Sequence, residues 1–167
     1  TNGDGGFGVA TDASGNVYLT GEFGNGNGGT IDLGGTVLTS VGTGAGFVAK
    51  LDGGTGAHIW SKMMLNSNQS SLEGAVVSGN GVYVCGASRG AANLGGGPNV
   101  AVGGEYDFFV ARLSTVDGSH VWSHAHGAVS NDSCLDIGLD GNGGVVTTGA
   151  ISGSASFGGA PVPFSAV

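Results

Sequence analysis

Positive charge is scarce in this sequence. Only 4 of the 167 residues are Lys or Arg whereas 12 are Asp or Glu, so the formal net charge is −8. A chain with this charge repels polyanions, which excludes nucleic acid and anionic membrane surfaces as expected partners. The sequence also lacks an apolar run long enough to span a bilayer, so no membrane insertion is expected.

Proline is rare as well, with 3 residues, whereas glycine is abundant, with 38. The glycines follow no Gly-X-Y period, which excludes a collagen triple helix. Disorder is not expected either, because only 10% of the residues are charged and 40% are hydrophobic. We therefore expect the glycines in turns, where they adopt positive φ without steric cost.

Short sequence blocks recur along the chain in the same order, 61–65 residues apart. Chance does not produce an ordered recurrence of this kind, so the chain is predicted to be a repeat protein. The repeats are expected to span 1–66, 67–128 and 129–167, the last being partial. The blocks are Val17–Gly21, Val82–Gly86 and Val145–Gly149; Leu33–Gly35, Leu94–Gly96 and Phe157–Gly159; Phe47–Leu51 and Phe109–Leu113; and His58–Ser61 and His120–Ser123.

Each repeat is predicted to form four short antiparallel strands. Runs rich in β-branched and aromatic residues between Gly, Asn and Asp turns are typical of strands joined by hairpins. No segment carries a sustained helical period. In the first repeat the predicted strands are Gly8–Asp12, Val17–Phe23, Phe47–Leu51 and Ala57–Met63, with Thr36–Val41 as a candidate fifth strand inside the Gly-rich excursion Gly24–Gly46.

Four antiparallel strands in a repeat of this length predict an all-β protein built from β-propeller blades. A β-solenoid and a β-sandwich are the alternatives, and the hairpin turns argue against a solenoid. The segments Asp12–Gly21, Phe47–Leu51 and Trp60–Lys62 resemble the bacterial SBBP-type β-propeller repeat family. The resemblance implies a large secreted or cell-surface protein with no assigned catalytic motif.

The repeats amount to about two and a half blades, whereas a closed propeller has about 4–8. The sequence also starts without an initiator Met or a signal peptide. We therefore expect a segment of a longer chain whose remaining blades complete the ring. The alternative is that further copies of the same chain complete it.

His120, Trp122, His124 and His126 alternate along one predicted strand. Residues two apart on a strand point to the same face, so the four side chains are expected to lie side by side. His124 and His126 are candidate ligands for Zn²⁺ or Cu²⁺, because neutral imidazole is a common metal ligand. The alternative is an outer strand with packed or half-exposed histidines, which Lys62 at the corresponding position of the first repeat favours.

Asp12, Asn16, Asp140 and Asn142 offer the hard oxygen ligands that Ca²⁺ prefers. An EF-hand-like loop needs more carboxylates and a terminal Glu, and neither is present. The alternative is that these residues stabilise hairpin turns through local hydrogen bonds. Apart from these calcium and zinc candidates, no cofactor is expected.

Cys85 and Cys134 are the only cysteines. They lie on predicted inner strands of neighbouring repeats, which approach each other in a propeller. One expectation is a disulfide that holds the second repeat to the third, and the other is two small buried hydrophobic side chains. Trp60 and Trp122 hold the same position in successive repeats, which favours core packing over sugar binding.

The expected function is that of a non-enzymatic extracellular binding or scaffolding module, whose loops recognise a protein or glycan partner. No catalytic residue is predicted, because the sequence has no Gly-x-Ser-x-Gly elbow, P-loop, His-Glu-x-x-His or Cys-x-x-Cys-His motif. Two alternatives stay open. One is a domain of a secreted polysaccharide-acting enzyme, with Asp12, Glu73, Asp136 and Asp140 near the inner-strand ends as its candidate carboxylates. The other is a structural subunit of a surface filament or large complex.

Overall fold

The computed structural model describes residues 3–24, 26, 28–65, 68–97, 105–127 and 130–153. Twelve strands account for its regular structure, and the described residues include no helix of the length and apolar character that crossing a membrane requires. The strands are β1 (Gly5–Thr11), β2 (Val17–Phe23), β3 (Gly29–Ile31), β4 (Leu38–Ser40), β5 (Ala45–Leu51), β6 (His58–Met63), β7 (Gln69–Ser78), β8 (Gly81–Arg89), β9 (Asp107–Ser114), β10 (His120–His126), β11 (Ser133–Leu139) and β12 (Val145–Ala150).

Two four-stranded antiparallel sheets form the body of the protein. The first sheet has the order β1-β2-β5-β6, and the second has the order β7-β8-β9-β10. The β11–β12 hairpin follows the second sheet, and the β3–β4 hairpin forms within the excursion between β2 and β5. The four strands predicted for the first repeat are confirmed, and the candidate fifth strand is present as β4, paired with β3.

The strand registers of the two sheets and the β11–β12 hairpin shift at corresponding places. Each first strand carries an extra residue beside its second strand, namely Phe7, Glu73 and Leu135. The fourth strand of each sheet also carries an extra residue beside the third strand. In the first sheet Lys50 pairs with Trp60 and Leu51 pairs with His58, so Ile59 is the extra residue. Strands β9 and β10 of the second sheet show the same shift. A bulge of this kind reverses the face on which the preceding residues lie.

The first strand of the second sheet, β7, packs against the first strand of the first sheet, β1, and against the first strand of the hairpin, β11. Glycine permits this approach. A Cβ at Gly8 would lie 2.8 Å from the carbonyl oxygen of Glu73, and one at Gly74 would lie 3.2 Å from the Ile137 nitrogen. Any larger residue at Gly8 would therefore push β1 away from β7.

The core lies between the sheets. Tyr18, Val48 and Trp60 of the first sheet pack against Leu72 and other apolar residues of the second sheet. A second cluster joins the second sheet to the β11–β12 hairpin, and a third joins the first sheet to the β3–β4 hairpin. The third Leu-Gly-Gly-like block (157–159) and residues 98–104 of the Gly-rich loop between β8 and β9 lie outside the described residues.

Candidate functional site

A groove of about 540 Å³ lies between the β3–β4 hairpin and the second sheet. The hairpin supplies one wall, strand β6 the floor, and the loop and turn around β9 and β10 the other wall. The residues that line the groove are Val37, Leu38, Thr39, Ser61, Lys62, Met63, Leu65, Leu94, Gly95, Gly118, Ser119 and His120. A volume of this size lies within the ordinary range of ligand pockets.

The groove is mainly apolar. Val37 and Leu65 are 47% and 40% exposed, so their side chains are available to a ligand, whereas Leu94 is buried. Lys62 and His120 are the ionisable residues that line it. Apolar walls with few polar groups favour recognition of apolar side chains.

A histidine anchors the groove on each side. The Nε2 atom of His120 lies 2.8 Å from the hydroxyl of Ser123, and its imidazole occupies the space that a Cβ at Gly96 would need. His58, Ser61 and Gly35 repeat this arrangement in the first sheet, with 3.1 Å between Nε2 and Oγ. The loops that contain Gly35 and Gly96 are thereby held against strands β6 and β10, respectively. These contacts fix the walls of the groove.

Sequence reasoning did not identify these histidine anchors. The signal was present, because the blocks Leu33–Gly35 and Leu94–Gly96 recur together with His58–Ser61 and His120–Ser123. The two blocks are far apart along the chain, however, and their contact depends on how the excursion folds back. The recurrence of both blocks in the same two repeats therefore reflects a contact between them, but the sequence alone does not identify that contact.

A buried polar cluster joins the first sheet to the second. The Nζ atom of Lys50 donates to the carbonyl oxygen of Thr115 at 2.9 Å and lies 3.5 Å from the carboxylate of Asp12. The indole Nε1 of Trp60 donates to the same Thr115 oxygen at 3.2 Å. Lys50 also lies over the ring of Tyr18, 5.2 Å from its centroid. One turn of the second sheet is thus held by two donors of the first.

Hydrogen bonds to Asp12 favour its ionised form. The hydrogen bond from the Asn16 side-chain amide is the main cause that lowers the pKa of Asp12 from 3.8 to about 2. Hydrogen bonds from the backbone N–H groups of Asn16 and Ser14 and from the Tyr18 hydroxyl also lower this pKa. Burial raises the pKa of Tyr18 above 10.0. Asp12 therefore carries its charge at neutral pH and complements Lys50.

Asp12 and Asn16, proposed as calcium ligands, lie together in the β1–β2 turn. The Asp12 carboxylate already accepts from two backbone amides, the Asn16 side chain and the Tyr18 hydroxyl. Asp140 accepts from the backbone amides of Asn142 and Gly144 at 2.8 and 2.7 Å in the β11–β12 turn. These local hydrogen bonds are the ones that the turn-stabilising alternative requires. The assignment of these residues as calcium ligands stays a prediction.

The expectation that His120 shares a face with Trp122, His124 and His126 is wrong. The bulge between His120 and Trp122 places His120 on the face of Leu113, whereas Trp122 lies on the face of Arg112. His124 and His126 do share the Trp122 face, with ring centroids 6.0 Å apart. They remain a prediction as a zinc or copper pair.

Three or more His, Cys, Asp or Glu side chains placed to share a metal ion do not occur among the described residues.

The tryptophans of the two sheets hold corresponding positions. Trp60 is 7% exposed and packs edge-on against Tyr18, and Trp122 packs in the same way against Tyr83. The Trp60 ring is therefore closed to a sugar, whereas Trp122 is half-buried and packs against Tyr83 and His124.

Cys85 and Cys134 form a disulfide with Cα atoms 5.7 Å apart. The bond joins β8 of the second sheet to β11 of the following hairpin, and both cysteines are fully buried. Of the two expectations for these residues, the bonded one describes the structure. Disulfides persist in oxidising compartments, so the bond is compatible with an extracellular location.

A second cavity, of about 380 Å³, lies where the first strands converge. Glu73 and Asp136 both line it, together with the exposed side chains of Phe7 and Leu135. Phe7, Glu73 and Leu135 are the bulged residues of the three first strands. Asp12 and Asp140, the other candidate carboxylates, lie in turns instead.

Neither a scan of protein-family models nor a search of curated proteins finds a match to this chain. The assignment of a function therefore depends on the geometry alone.

Proposed function

We propose that the chain is part of an extracellular β-propeller of the SBBP-type repeat family and acts as a non-enzymatic binding module. Three features support the propeller. The two sheets have the same strand order, their registers shift at corresponding places, and the first strand of the second sheet lies between β1 and the first strand of the β11–β12 hairpin. Propellers arrange four-stranded sheets radially, with the first strands around a central axis.

The observation that carries the binding function is the groove beneath the β3–β4 hairpin. It combines an excursion of the kind that carries function on rigid scaffolds with apolar walls fixed by His58 and His120. Val37 and Leu65 expose apolar surface there, at 47% and 40% of each residue. A protein partner that inserts apolar side chains is the occupant best suited to these walls.

A glycan partner suits the groove less well. Sugar recognition relies on exposed aromatic faces and dense hydrogen-bonding groups, and the residues that line the groove include no Trp, Tyr or Phe. Lys62 and His120 are the charged or chargeable groups at its rim, so a peptide with an acidic residue beside its apolar ones would complement both features.

The experiment is selection from a random 12-residue peptide library on the immobilised protein, followed by calorimetry on the enriched peptides. We expect enriched peptides to combine apolar residues with an acidic one and to bind at micromolar affinity. Leu65→Asp places a charge in the groove and should weaken binding at least tenfold. Val116→Asp is the matched control, because Val116 is 76% exposed and does not line the groove.

Two results would overturn the binding assignment. One is the enrichment of no peptide that binds saturably, and the other is equal loss of binding in Leu65→Asp and Val116→Asp. Circular dichroism of both variants shows whether the fold is retained, so that unfolding is not mistaken for loss of the site.

A polysaccharide-acting enzyme is the second candidate, favoured by the cavity that Glu73 and Asp136 line together. Hydrolysis of glycosidic bonds uses two carboxyl groups on either side of the bond. Release of reducing sugar from a polysaccharide panel, abolished in both Glu73→Gln and Asp136→Asn, would favour this candidate. Absence of turnover in the native chain would count against it.

A further inference from the structure

Strand β6 has an open backbone edge. It is an end strand of the first sheet, so it pairs with β5 on one side and, among the described residues, with no strand on the other. The N–H of Met64 donates to the Gly46 carbonyl oxygen at 2.8 Å and so points toward β5. Because these directions alternate along an antiparallel strand, Lys62 also faces β5, whereas Ser61 and Met63 direct their backbone N–H and carbonyl groups away from it.

The chain itself pairs with this edge at the next outward position. Leu65 forms an antiparallel bridge with Asn93, whose carbonyl oxygen accepts from the Leu65 N–H at 2.7 Å. The loop after Asn93 then bends, because Gly95 has a φ of 104° and the Asn93 side chain accepts from the N–H groups of Gly95 and Gly97. Within the part of the chain that the structure describes, no backbone hydrogen bond reaches the two other outward positions of β6.

The groove beneath the β3–β4 hairpin runs along this open edge. Its lining includes three consecutive residues of β6 (61–63) and three consecutive residues in and beside β4 (37–39). Successive side chains on a strand point to opposite faces, so a cavity that touches three residues in a row lies beside the edge of the strand. An occupant of the groove therefore meets backbone groups as well as side chains.

An extended peptide is the ligand that uses such backbone groups, since it can add a strand to the exposed edge of a sheet. We propose that the partner of the groove binds as a strand antiparallel to β6, hydrogen-bonded to the backbones of Ser61 and Met63. The antiparallel direction continues that of the bridge to Asn93. This inference rests on the proposed binding function and adds the conformation and register of the partner.

The two faces of β6 set the side-chain pattern of the added strand. Met63 packs with Leu38 against the apolar cluster between the hairpin and the first sheet. Lys62 points toward the second sheet, where a Cβ at Gly118 would lie 3.0 Å from its Cε atom. Residues opposite each other on paired strands share a face, so peptide residues opposite Met63 and Ser61 face the hairpin, and the one between them lies beside Lys62. The expected sequence is apolar, acidic, apolar.

Charge also directs such a peptide to the groove. Lys62 is one of only 4 Lys and Arg residues in a chain with a net charge of −8, so an acidic peptide is repelled by most of the surface and attracted there. Asp117 competes for the same cation. Hydrogen bonds from Ser119 are the main cause of its lowered pKa, and Lys62 contributes to the shift.

Amide hydrogen exchange measured by NMR, with and without the tightest peptide from the library selection, tests the added strand. We expect the amides of Ser61 and Met63 to exchange about tenfold more slowly or less in the complex, because each gains a hydrogen bond. Trp60 and Lys62 are the matched controls within the same strand. Their amides face β5 already, so the peptide should change their exchange little.

N-methylation of the peptide tests the pairing from the partner's side. Methylation of the backbone nitrogen of either apolar residue, opposite Ser61 or Met63, should weaken binding about tenfold, because it removes a hydrogen bond to β6. Methylation of the acidic residue between them should weaken it less than about twofold, because that nitrogen points away from β6.

Two nearly isosteric variants test the charge. Lys62→Gln should weaken binding of the acidic peptide about threefold, and Asp117→Asn should strengthen it by a similar factor. A peptide with Gln in place of its acidic residue is the matched control and should bind both variants alike. Equal binding of the acidic peptide by both variants would remove Lys62 from the site.

The results separate failure of the added strand from failure of the binding function. If a peptide binds and Leu65→Asp disrupts it, but exchange at Ser61 and Met63 is unchanged, the strand pairing is wrong and the binding function stands. Equal effects of N-methylation at all three positions would likewise contradict the pairing. If no peptide binds saturably, the binding function is wrong and this inference with it.

Discussion

The ammonium group of Lys50 reaches from the first sheet to the Thr115 carbonyl oxygen of the second, 2.9 Å away. The contact spans 65 positions of sequence and is buried. Lys50 is only 9% exposed, and Asp12 and Tyr18 lie against it. A buried ammonium group is tolerated only when it is paired and hydrogen-bonded, so these contacts make the relative placement of the two sheets specific.

Lys50→Met should destabilise the fold by about 2–4 kcal/mol, because it leaves the buried Thr115 carbonyl and the Asp12 carboxylate without their cationic partner. Chemical denaturation monitored by tryptophan fluorescence measures the loss. Arg112→Met is the matched control. Arg112 pairs with Trp122 as Lys50 does with Trp60, but Ser78 stands where the first sheet has Asp12.

The control variant should cost less than about 1 kcal/mol, since the Arg112 guanidinium bonds an exposed Asn80 side chain and forms no ion pair among the described residues. Equal losses in Lys50→Met and Arg112→Met would contradict the special role assigned to the Lys50 cluster. They would instead indicate that both residues contribute mainly through their apolar stems.

Acid should remove a defined part of the stability through Asp12. Its pKa is lowered from 3.8 to about 2 in the folded protein, so the folded state favours the ionised form. The resulting stabilisation is fully present above pH 3.8 and is lost as the pH falls toward 2. Because solvent screens a carboxylate in a surface turn, we expect this part of the stability to be about 1 kcal/mol.

Denaturation midpoints measured from pH 5 to pH 2 test this expectation, with Asp12→Asn as the comparison. The variant should be less stable at pH 5 and should show a shallower decline below it. If the two proteins decline in parallel, the acid sensitivity comes from other carboxylates. Asp52 and Asp117 are candidates, because hydrogen bonds from Thr55 and Ser119 lower their pKa values too.

The sequence predicted the strands well because each has local signals at both ends. Asp12 and Gly15 define the β1–β2 turn, and Asp52 defines the β5–β6 turn, so the strand limits are set over a few residues. The outer-strand bulge is different. A spacing of two suggests a common face only in an unbroken strand, and nothing local to His120 signals the extra residue that reverses its direction.

The groove was beyond prediction for another reason. Its walls come from an excursion, an outer strand and a turn, and no pattern within any one of them specifies the others. The disulfide lay between these extremes. The recurrence placed Cys85 and Cys134 on neighbouring inner strands, but it left bonded and unbonded states open because alignment of sequence blocks fixes no distance.

Gly35→Ala should displace the His58 ring, since the new Cβ would occupy the position of the imidazole. We expect a loss of about 1–3 kcal/mol and release of the β3–β4 hairpin from β6, because His58 would also lose its bond to Ser61. A double-mutant cycle with His58→Ala measures the coupling. The double variant should be more stable than the sum of the single effects predicts, and strict additivity would show that Gly35 acts through its backbone instead.

Loss of the Cys85–Cys134 disulfide should destabilise the protein by about 2–4 kcal/mol. The bond joins residues 49 positions apart and so restricts the conformational freedom of the unfolded chain. Cys85→Thr/Cys134→Leu is the informative variant. Thr20 and Leu72 occupy the corresponding positions between the first and second sheets, where no disulfide joins the strands. We expect it to recover part of the stability that Cys85→Ala/Cys134→Ala loses, as Leu refills the buried space. If the two variants are equally unstable in denaturant titrations, the covalent link rather than the packing holds the β11–β12 hairpin to the second sheet.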